Sequence, residues 1–131
     1  MTAGWNPTLV NTILDSIFSD AAWTPPAASY LQLHTGDPGP AGTANVSSFG
    51  SRVALTWSSA SGGSKALSAS VQITSSWSGT SPETITHVSY WDASTGGNFI
   101  VSDQVTAAIT ITTGQALNLP SATVPWSPLA A

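Results

Sequence analysis

Apolar residues follow two different periods along this chain, and the period changes near Pro25 and Pro26. Before that point they recur at spacings of one, three and four and form one broad helical stripe, which consists of Leu9, Val10, Ile13, Leu14, Ile17 and Phe18. Asn6 is suited to cap this helix and Pro7 to occupy its first position, so we predict a helix over residues 6–19. A stripe this apolar is expected to be buried. It could pack on the sheet of its own domain, or form an assembly interface with neighbouring subunits through Leu9, Ile13, Ile17 and Phe18.

After Pro26, short alternating segments separated by turn residues predict strands. They lie at residues 30–34, 53–58, 71–73, 84–91, 99–102, 107–112, 117–119 and 122–126. Seven or eight short strands favour a mainly β fold, an antiparallel β-sandwich of the jelly-roll type with one N-terminal α-helix. We therefore expect a single domain over residues 1–131, with the sandwich at 28–126 and an irregular tail at 127–131.

The segment Tyr30–Gly39, YLQLHTGDPG, joins a strand to a polar turn. It resembles the LHTADPG signature of small virion proteins of actinobacteriophage-type tailed phages, which are usually described as tail-fibre or minor structural proteins. The segments NPTLVNTILDSIF (Asn6–Phe18) and THVSYWDA (Thr86–Ala93) are similar to the same family in the same order, and Gly36 stands where many relatives carry Ala. The resemblance implies a virion protein.

The signature turn consists of His34, Asp37, Pro38 and Gly39. Gly allows a positive φ, Pro fixes φ, and the Asp side chain can bond to the backbone of its own turn. We expect His34 to be a hydrogen-bonded residue at the end of its strand and Asp37 to organise the turn.

Charge is scarce: 6% of the residues are charged, the formal net charge is −4, and the basic residues are Arg52 and Lys65. Two isolated basic side chains cannot neutralise a phosphate backbone, so nucleic-acid binding is not expected. The chain has no cysteine and no apolar run near 18 residues, which argues against disulfides, thiolate chemistry and membrane insertion. The first residues lack the pattern of a secretory signal, so we expect folding in the host cytoplasm. A surface rich in Ser and Thr suits a subunit of an assembly.

Active-site patterns are missing from the sequence. There is no G-x-S-x-G elbow, and the two histidines, His34 and His87, lie on separate predicted strands. Zinc would need three or four convergent ligands, and calcium several oxygen donors within one loop. We therefore expect no enzymatic activity, no metal and no cofactor, and we rank a cell-wall hydrolase lowest among the possible functions.

The aromatic side chains offer the remaining candidate contacts. The six tryptophans are Trp5, Trp23, Trp57, Trp77, Trp91 and Trp126. Those in strand patterns are expected in the core, whereas Trp23 and Trp77 lie in polar, turn-rich stretches. These two are expected to be exposed and to contact a neighbouring subunit or a host-surface glycan.

Together these features predict a non-enzymatic virion structural protein. The first expectation is a minor capsid or decoration protein on the capsid surface, and the alternative is a tail-fibre or tail-tip component that binds a host-surface glycan. The expected partners are further copies of the chain, in a homotrimer, and virion proteins such as the major capsid protein.

Overall fold

The computed structural model describes residues 3–126, and the predicted irregular tail at 127–131 lies outside them. The described residues form one helix and eight strands, as the sequence predicts. The elements are α1 Pro7–Phe18, β1 Ser29–His34, β2 Val53–Leu55, β3 Ser64–Ala66, β4 Val71–Thr74, β5 Glu83–Trp91, β6 Phe99–Ile111, β7 Leu117–Leu119 and β8 Thr123–Pro125. Within these residues, no helix is long and apolar enough to cross a membrane.

Helix α1 begins as the sequence predicts. The Oδ1 of Asn6 accepts a hydrogen bond from the backbone N–H of Thr8 at 2.9 Å, and Pro7 occupies the first position. Asn6 also joins the helix to the sheet, because its backbone N–H donates to the carbonyl of Ile100 at 2.8 Å. No residue of the helix is buried, however. The expectation that the whole stripe is buried is therefore wrong: Leu9, Val10 and Ile13 are half-buried, whereas Leu14, Ile17 and Phe18 are exposed.

Four strands form the main sheet in the order β2-β1-β5-β6, and every pairing is antiparallel. Strand β1 is central, with Leu31 opposite Tyr90 and Leu33 opposite Val88. These side chains share one face of the sheet, as the alternation of residues predicts. Two small ribbons complete the fold, β3 with β8 and β4 with β7.

The hydrophobic core joins the main sheet to the β4–β7 ribbon. It consists of Leu31, Leu33, Leu55, Ile73, Trp77, Ile85, Val88, Tyr90, Val101, Ile111 and Leu117. The residues of β4 and β7 in this cluster, Ile73 and Leu117, close the apolar face of the sheet. This two-layer packing is that of an antiparallel β-sandwich and confirms the predicted fold class.

Strand β6 differs most from its prediction, because one strand of 13 residues replaces the two that were expected at 99–102 and 107–112. The pairing with β5 shifts between Ile85, opposite Ile109, and His87, opposite Gln104. The four residues 105–108 bulge there against a single residue of β5, and the strand continues. Asp103 and Gln104, which fall in the predicted gap, are paired with Val88 and His87 of β5, and the bulge begins after them.

Strand β3 lies directly after a Gly-Gly turn, formed by Gly62 and Gly63. Gly62 and Gly63 both have positive φ, of 56° and 71°, and the backbones of Ser61 and Ser64 exchange two hydrogen bonds around them. This is the two-residue hairpin turn that a Gly-Gly pair favours. The strand itself, Ser64–Ala66, has no apolar alternation that could have predicted it.

Candidate functional site

The signature turn is a structural element of the core. Asp37 Oδ1 accepts a hydrogen bond from the backbone N–H of Gly39 at 2.8 Å, so Asp37 organises its own turn. Gly39 has a φ of 73°, and Pro38 is fully buried. The other carboxylate oxygen, Asp37 Oδ2, is buried without a hydrogen-bond partner among the described residues.

His34 is fully buried at the end of β1 and belongs to a chain of hydrogen bonds. The indole N–H of Trp91 donates to Ser89 Oγ at 2.8 Å, which leaves the hydroxyl proton of Ser89 to donate to His34 Nε2 at 2.7 Å. The Nδ1–H of His34 then donates to the carbonyl of Ala44 at 2.8 Å. This order requires a neutral imidazole. Burial lowers the pKa of His34, which favours the same neutral state.

The Ser89–His34 pair has the residue types of a hydrolytic dyad but not the access. Both side chains have a relative exposure of 0%. The Ser89 hydroxyl is occupied on both sides, by Trp91 and by His34. A nucleophile must reach the substrate, so this pair supports folding. His87, the second histidine, bonds through Nδ1 to the hydroxyl of its neighbour Thr86.

Trp77 is a core residue, and its prediction as an exposed contact is wrong. It is 1% exposed, stacks on Phe49 with 5.6 Å between ring centroids, and donates its indole N–H to the carbonyl of Thr80 at 2.9 Å. Serines flank it in the sequence, and their polarity suggested a solvated turn. The turn instead folds the indole inwards and keeps the serines outside.

Trp23 lies in a notch between the helix and the sheet. The notch encloses about 270 Å³ and brings Trp23 together with side chains that were not predicted as a site. Its polar lining includes Thr8 and Thr12 of the helix and Asp92 and Asn98 of the β5–β6 turn. An aromatic ring, a carboxylate, an amide and hydroxyls thus converge on one concavity.

The β5–β6 turn holds Asp92 and Asn98 in fixed positions. Asp92 Oδ1 accepts from the backbone N–H of Asn98 at 2.6 Å, and Asp92 Oδ2 accepts from the Asn98 side-chain amide at 2.8 Å. Arg52 braces the same turn by donating to the carbonyls of Ala93 and Gly96, and its guanidinium lies 3.7 Å from the centroid of the Trp91 ring. Each Asp92 oxygen retains a lone pair for a ligand hydroxyl.

The chemistry of this notch suits a polyhydroxylated ligand such as a sugar. A half-buried indole offers an apolar surface to the C–H groups of a sugar ring, and the carboxylate accepts hydrogen bonds from its hydroxyls. Small-molecule sites commonly combine an apolar wall with a few fixed polar groups. Among the described residues, no three His, Asp or Glu side chains come together as a metal site.

The predicted assembly residues differ in exposure. Leu9 and Ile13 are half-buried, and Leu9 lines the Trp23 notch. Ile17 is 64% exposed and Phe18 is 80% exposed. The C-terminal turn of the helix is thus an unpartnered apolar surface.

A second concavity, an apolar groove that contains no residue of α1, was not predicted. It encloses about 770 Å³, and its main lining side chains are Trp5, Leu55, Trp57, Lys65, Tyr90 and Trp126. Trp5 and Trp126 pack edge to face, with 5.1 Å between ring centroids. These residues come from the whole length of the chain, so local patterns could not bring them together. The only signal was the number of tryptophans.

A family model described as "Podophage GP4 fiber I protein gp80" matches residues 4–127 of the chain. The match favours the tail-fibre alternative over the capsid-surface expectation. A search of the curated proteins gives no match.

Proposed function

The chain belongs to the family described as Podophage GP4 fiber I protein gp80, and from this premise we propose that it is a non-enzymatic tail-fibre or tail-tip component of a phage virion. The family match over residues 4–127 is the observation that carries this proposal. The resemblance to the LHTADPG signature of actinobacteriophage-type proteins stays a prediction. The β-sandwich of the described residues suits a knob or a cap, whereas a fibre shaft is typically built from heptads or β-helix repeats.

Immunogold labelling of intact phage particles with an antibody to this chain tests the location. We expect label at the tail. Label spread over the head would instead support the minor capsid or decoration role that the sequence first suggested, and would overturn the tail placement. The antibody is validated on disrupted particles, where the epitope is accessible in either case.

Host-surface glycan is the ligand class that we propose for the Trp23 notch. The support is the convergence of Trp23 with Asp92, Asn98 and Thr12 in one concavity of about 270 Å³. The notch has the size of a single sugar residue rather than of a long polymer. Trp77 is excluded from this role by its burial.

A screen of the isolated protein on bacterial surface oligosaccharides, followed by calorimetry with a monovalent hit, tests the glycan site. Trp23→Ala should weaken binding by about 30-fold or more, because a central aromatic contact is typically worth about 2 kcal/mol. Ile109→Ala is the control, since Ile109 is 39% exposed and lies outside both the notch and the apolar groove. Equal losses for both variants, or no binding on any oligosaccharide, would contradict the proposal.

The non-enzymatic part of the proposal has its own support and test. The Ser89–His34 pair is closed to solvent and its hydrogen bonds are satisfied within the fold. We expect no turnover of purified host cell wall by the isolated protein. Release of soluble fragments that stops with His34→Gln or His87→Gln would contradict this.

A further inference from the structure

Among residues 3–126, two apolar surfaces lie without a partner. One is the C-terminal end of helix α1, where Leu14, Ile17 and Phe18 are 42%, 64% and 80% exposed. We call it the helix tip. The other is the apolar groove of about 770 Å³ defined above. None of the residues of α1 lines this groove, so the helix tip does not fill it within one chain.

From these surfaces we infer that the helix tip of one copy of this chain binds in the apolar groove of a second copy. The inference goes beyond the tail-fibre proposal and does not depend on the glycan site. Charge complementarity identifies a second copy of the chain as the occupant of the groove.

Charge complementarity favours a second copy as the occupant. Among the described residues that line the groove, Lys65 is the one with a charge. Its ammonium group donates to the carbonyl of Ser58 at 2.9 Å, a neutral partner, so its charge stays available. Burial raises the pKa of Tyr90, which also lines the groove, to about 12 and keeps its phenol neutral.

The helix tip has the opposite charge. Asp15 is exposed and lies three residues before Phe18, on the neighbouring part of the same helix face, and Asp20 follows the helix directly. The apolar helix tip, flanked by the carboxylates of Asp15 and Asp20, is therefore complementary to an apolar groove that carries the ammonium group of Lys65. The chain has two basic side chains, and Arg52 is hydrogen-bonded to carbonyls of the β5–β6 turn. Lys65 is therefore the basic side chain that we expect these carboxylates to contact.

The helix tip and the groove are different surfaces, so the contact between copies is heterologous. Each copy uses its helix tip on one neighbour and its groove on the other, and a rotation that closes gives a ring. The homotrimer expected for a virion protein of this type is one such ring. Trp5 precedes the N-terminus of α1 and lines the groove, whereas the helix tip is at the C-terminus of α1, so the two contact surfaces are separate in each copy.

Sedimentation velocity over a range of concentrations tests the inference. Wild-type protein should associate reversibly, and Phe18→Ser should weaken association by about 30-fold or more, as expected for a large apolar anchor. Ile17→Thr should weaken it as well, whereas Ile109→Thr is the matched control on a 39% exposed position of β6 outside the groove. Wild-type protein that stays monomeric at every concentration would overturn the inference.

Reversing the charge of Asp15 distinguishes the proposed contact from the general effect of net charge on association. Asp15→Lys moves the formal net charge from −4 to −2, and a chain nearer to neutrality would ordinarily associate more readily. We expect association to weaken instead, by about fivefold or more, because the introduced ammonium group would face Lys65 of the neighbouring copy. Thr95→Lys with Thr113→Lys is the matched control, since it changes the net charge equally at exposed positions outside the groove.

Mixing the charge variants gives the decisive result. Lys65→Glu and Asp15→Lys should each associate weakly alone. A mixture of the two should regain association, because the reversed helix tip binds the reversed groove and the unchanged helix tip of one variant binds the unchanged groove of the other. If the variants fail to pair, or if Lys65→Glu associates as well as the wild type, the helix tip does not bind the groove.

Discussion

Two regions reverse the usual distribution of polar and apolar groups. One is the end of β1, which the loop of residues 35–50 covers, and the other is the tip of helix α1. Under the loop, His34 and Ser89 are polar and fully buried. At the helix tip, Ile17 and Phe18 are apolar and exposed. The buried polar groups are hydrogen-bonded to each other, so they contribute to folding, whereas the exposed apolar groups have no partner in the fold and are available for binding.

The largest effect on stability is expected at His34. His34→Ala should lower the free energy of unfolding by about 3–4 kcal/mol, because it leaves a cavity and removes hydrogen-bond partners from Ser89 and Ala44. Urea denaturation followed by tryptophan fluorescence measures the loss. His87→Ala is the control, since His87 is half-buried and its ring bonds only to Thr86 among the described residues; its cost should be about 1 kcal/mol. Equal costs would contradict the account.

The next effect concerns Gly42, which holds the covering loop against the sheet. Its φ is 72°, and a Cβ at this position would lie 2.5 Å from the Phe99 ring. Gly42→Ala should therefore lower the free energy of unfolding by about 2–4 kcal/mol. Gly62 also has a positive φ, of 56°, but its Cβ would meet open space, so Gly62→Ala should cost only about 1 kcal/mol. Thermal unfolding of both variants separates the steric clash from the backbone strain.

A smaller, pH-dependent effect follows from the buried imidazole. Burial holds the pKa of His34 below its usual value near 6.5, so the unfolded chain binds the proton more readily than the folded one. Stability should be complete above about pH 6.5 and decrease as the pH falls through the lowered pKa of the folded state. Urea midpoints at several pH values between about 8 and 5 measure the loss, and His34→Gln should remove it. A midpoint that rises as the pH falls would show that the sign is wrong.

The smallest effect on folding is expected at the helix tip. Ile17→Thr or Phe18→Ser should change the free energy of unfolding of the monomer by about 0.5 kcal/mol or less, since neither side chain is buried. Denaturation at a concentration where the wild type is monomeric measures this. A loss of several kcal/mol would mean that the helix tip packs within its own chain, and the contrast between the two regions would fail.

Local patterns were sufficient where short-range physics decides the structure. The N-cap Asn6, the alternation of Leu31 and Leu33, and the turn formed by Asp37 each depend on residues within a few positions, and the structure confirms all three. The antiparallel pairing also follows from short alternating segments separated by turns, although β6 joins two predicted strands and β3 was not predicted.

The features that the sequence did not predict depend on packing between residues that are distant in the sequence. Trp77 lies among serines but is buried against Phe49, because the ribbon folds it inwards. Apolar periodicity predicts a helix but not what covers it, so the sequence left open whether Phe18 packs within its own chain or is exposed. The Trp23 notch needs Thr12 and Asp92, which lie far apart in the sequence, on one concavity.

Adsorption of the phage to its host in the presence of the purified protein tests the central claim, a tail-fibre component that binds the host surface, most directly. The account predicts that the wild-type protein slows adsorption in a concentration-dependent manner and that Ile109→Ala does the same. Trp23→Ala should have lost this effect while remaining folded. No inhibition by wild-type protein at concentrations that saturate the cells, or equal inhibition by Trp23→Ala, would contradict it.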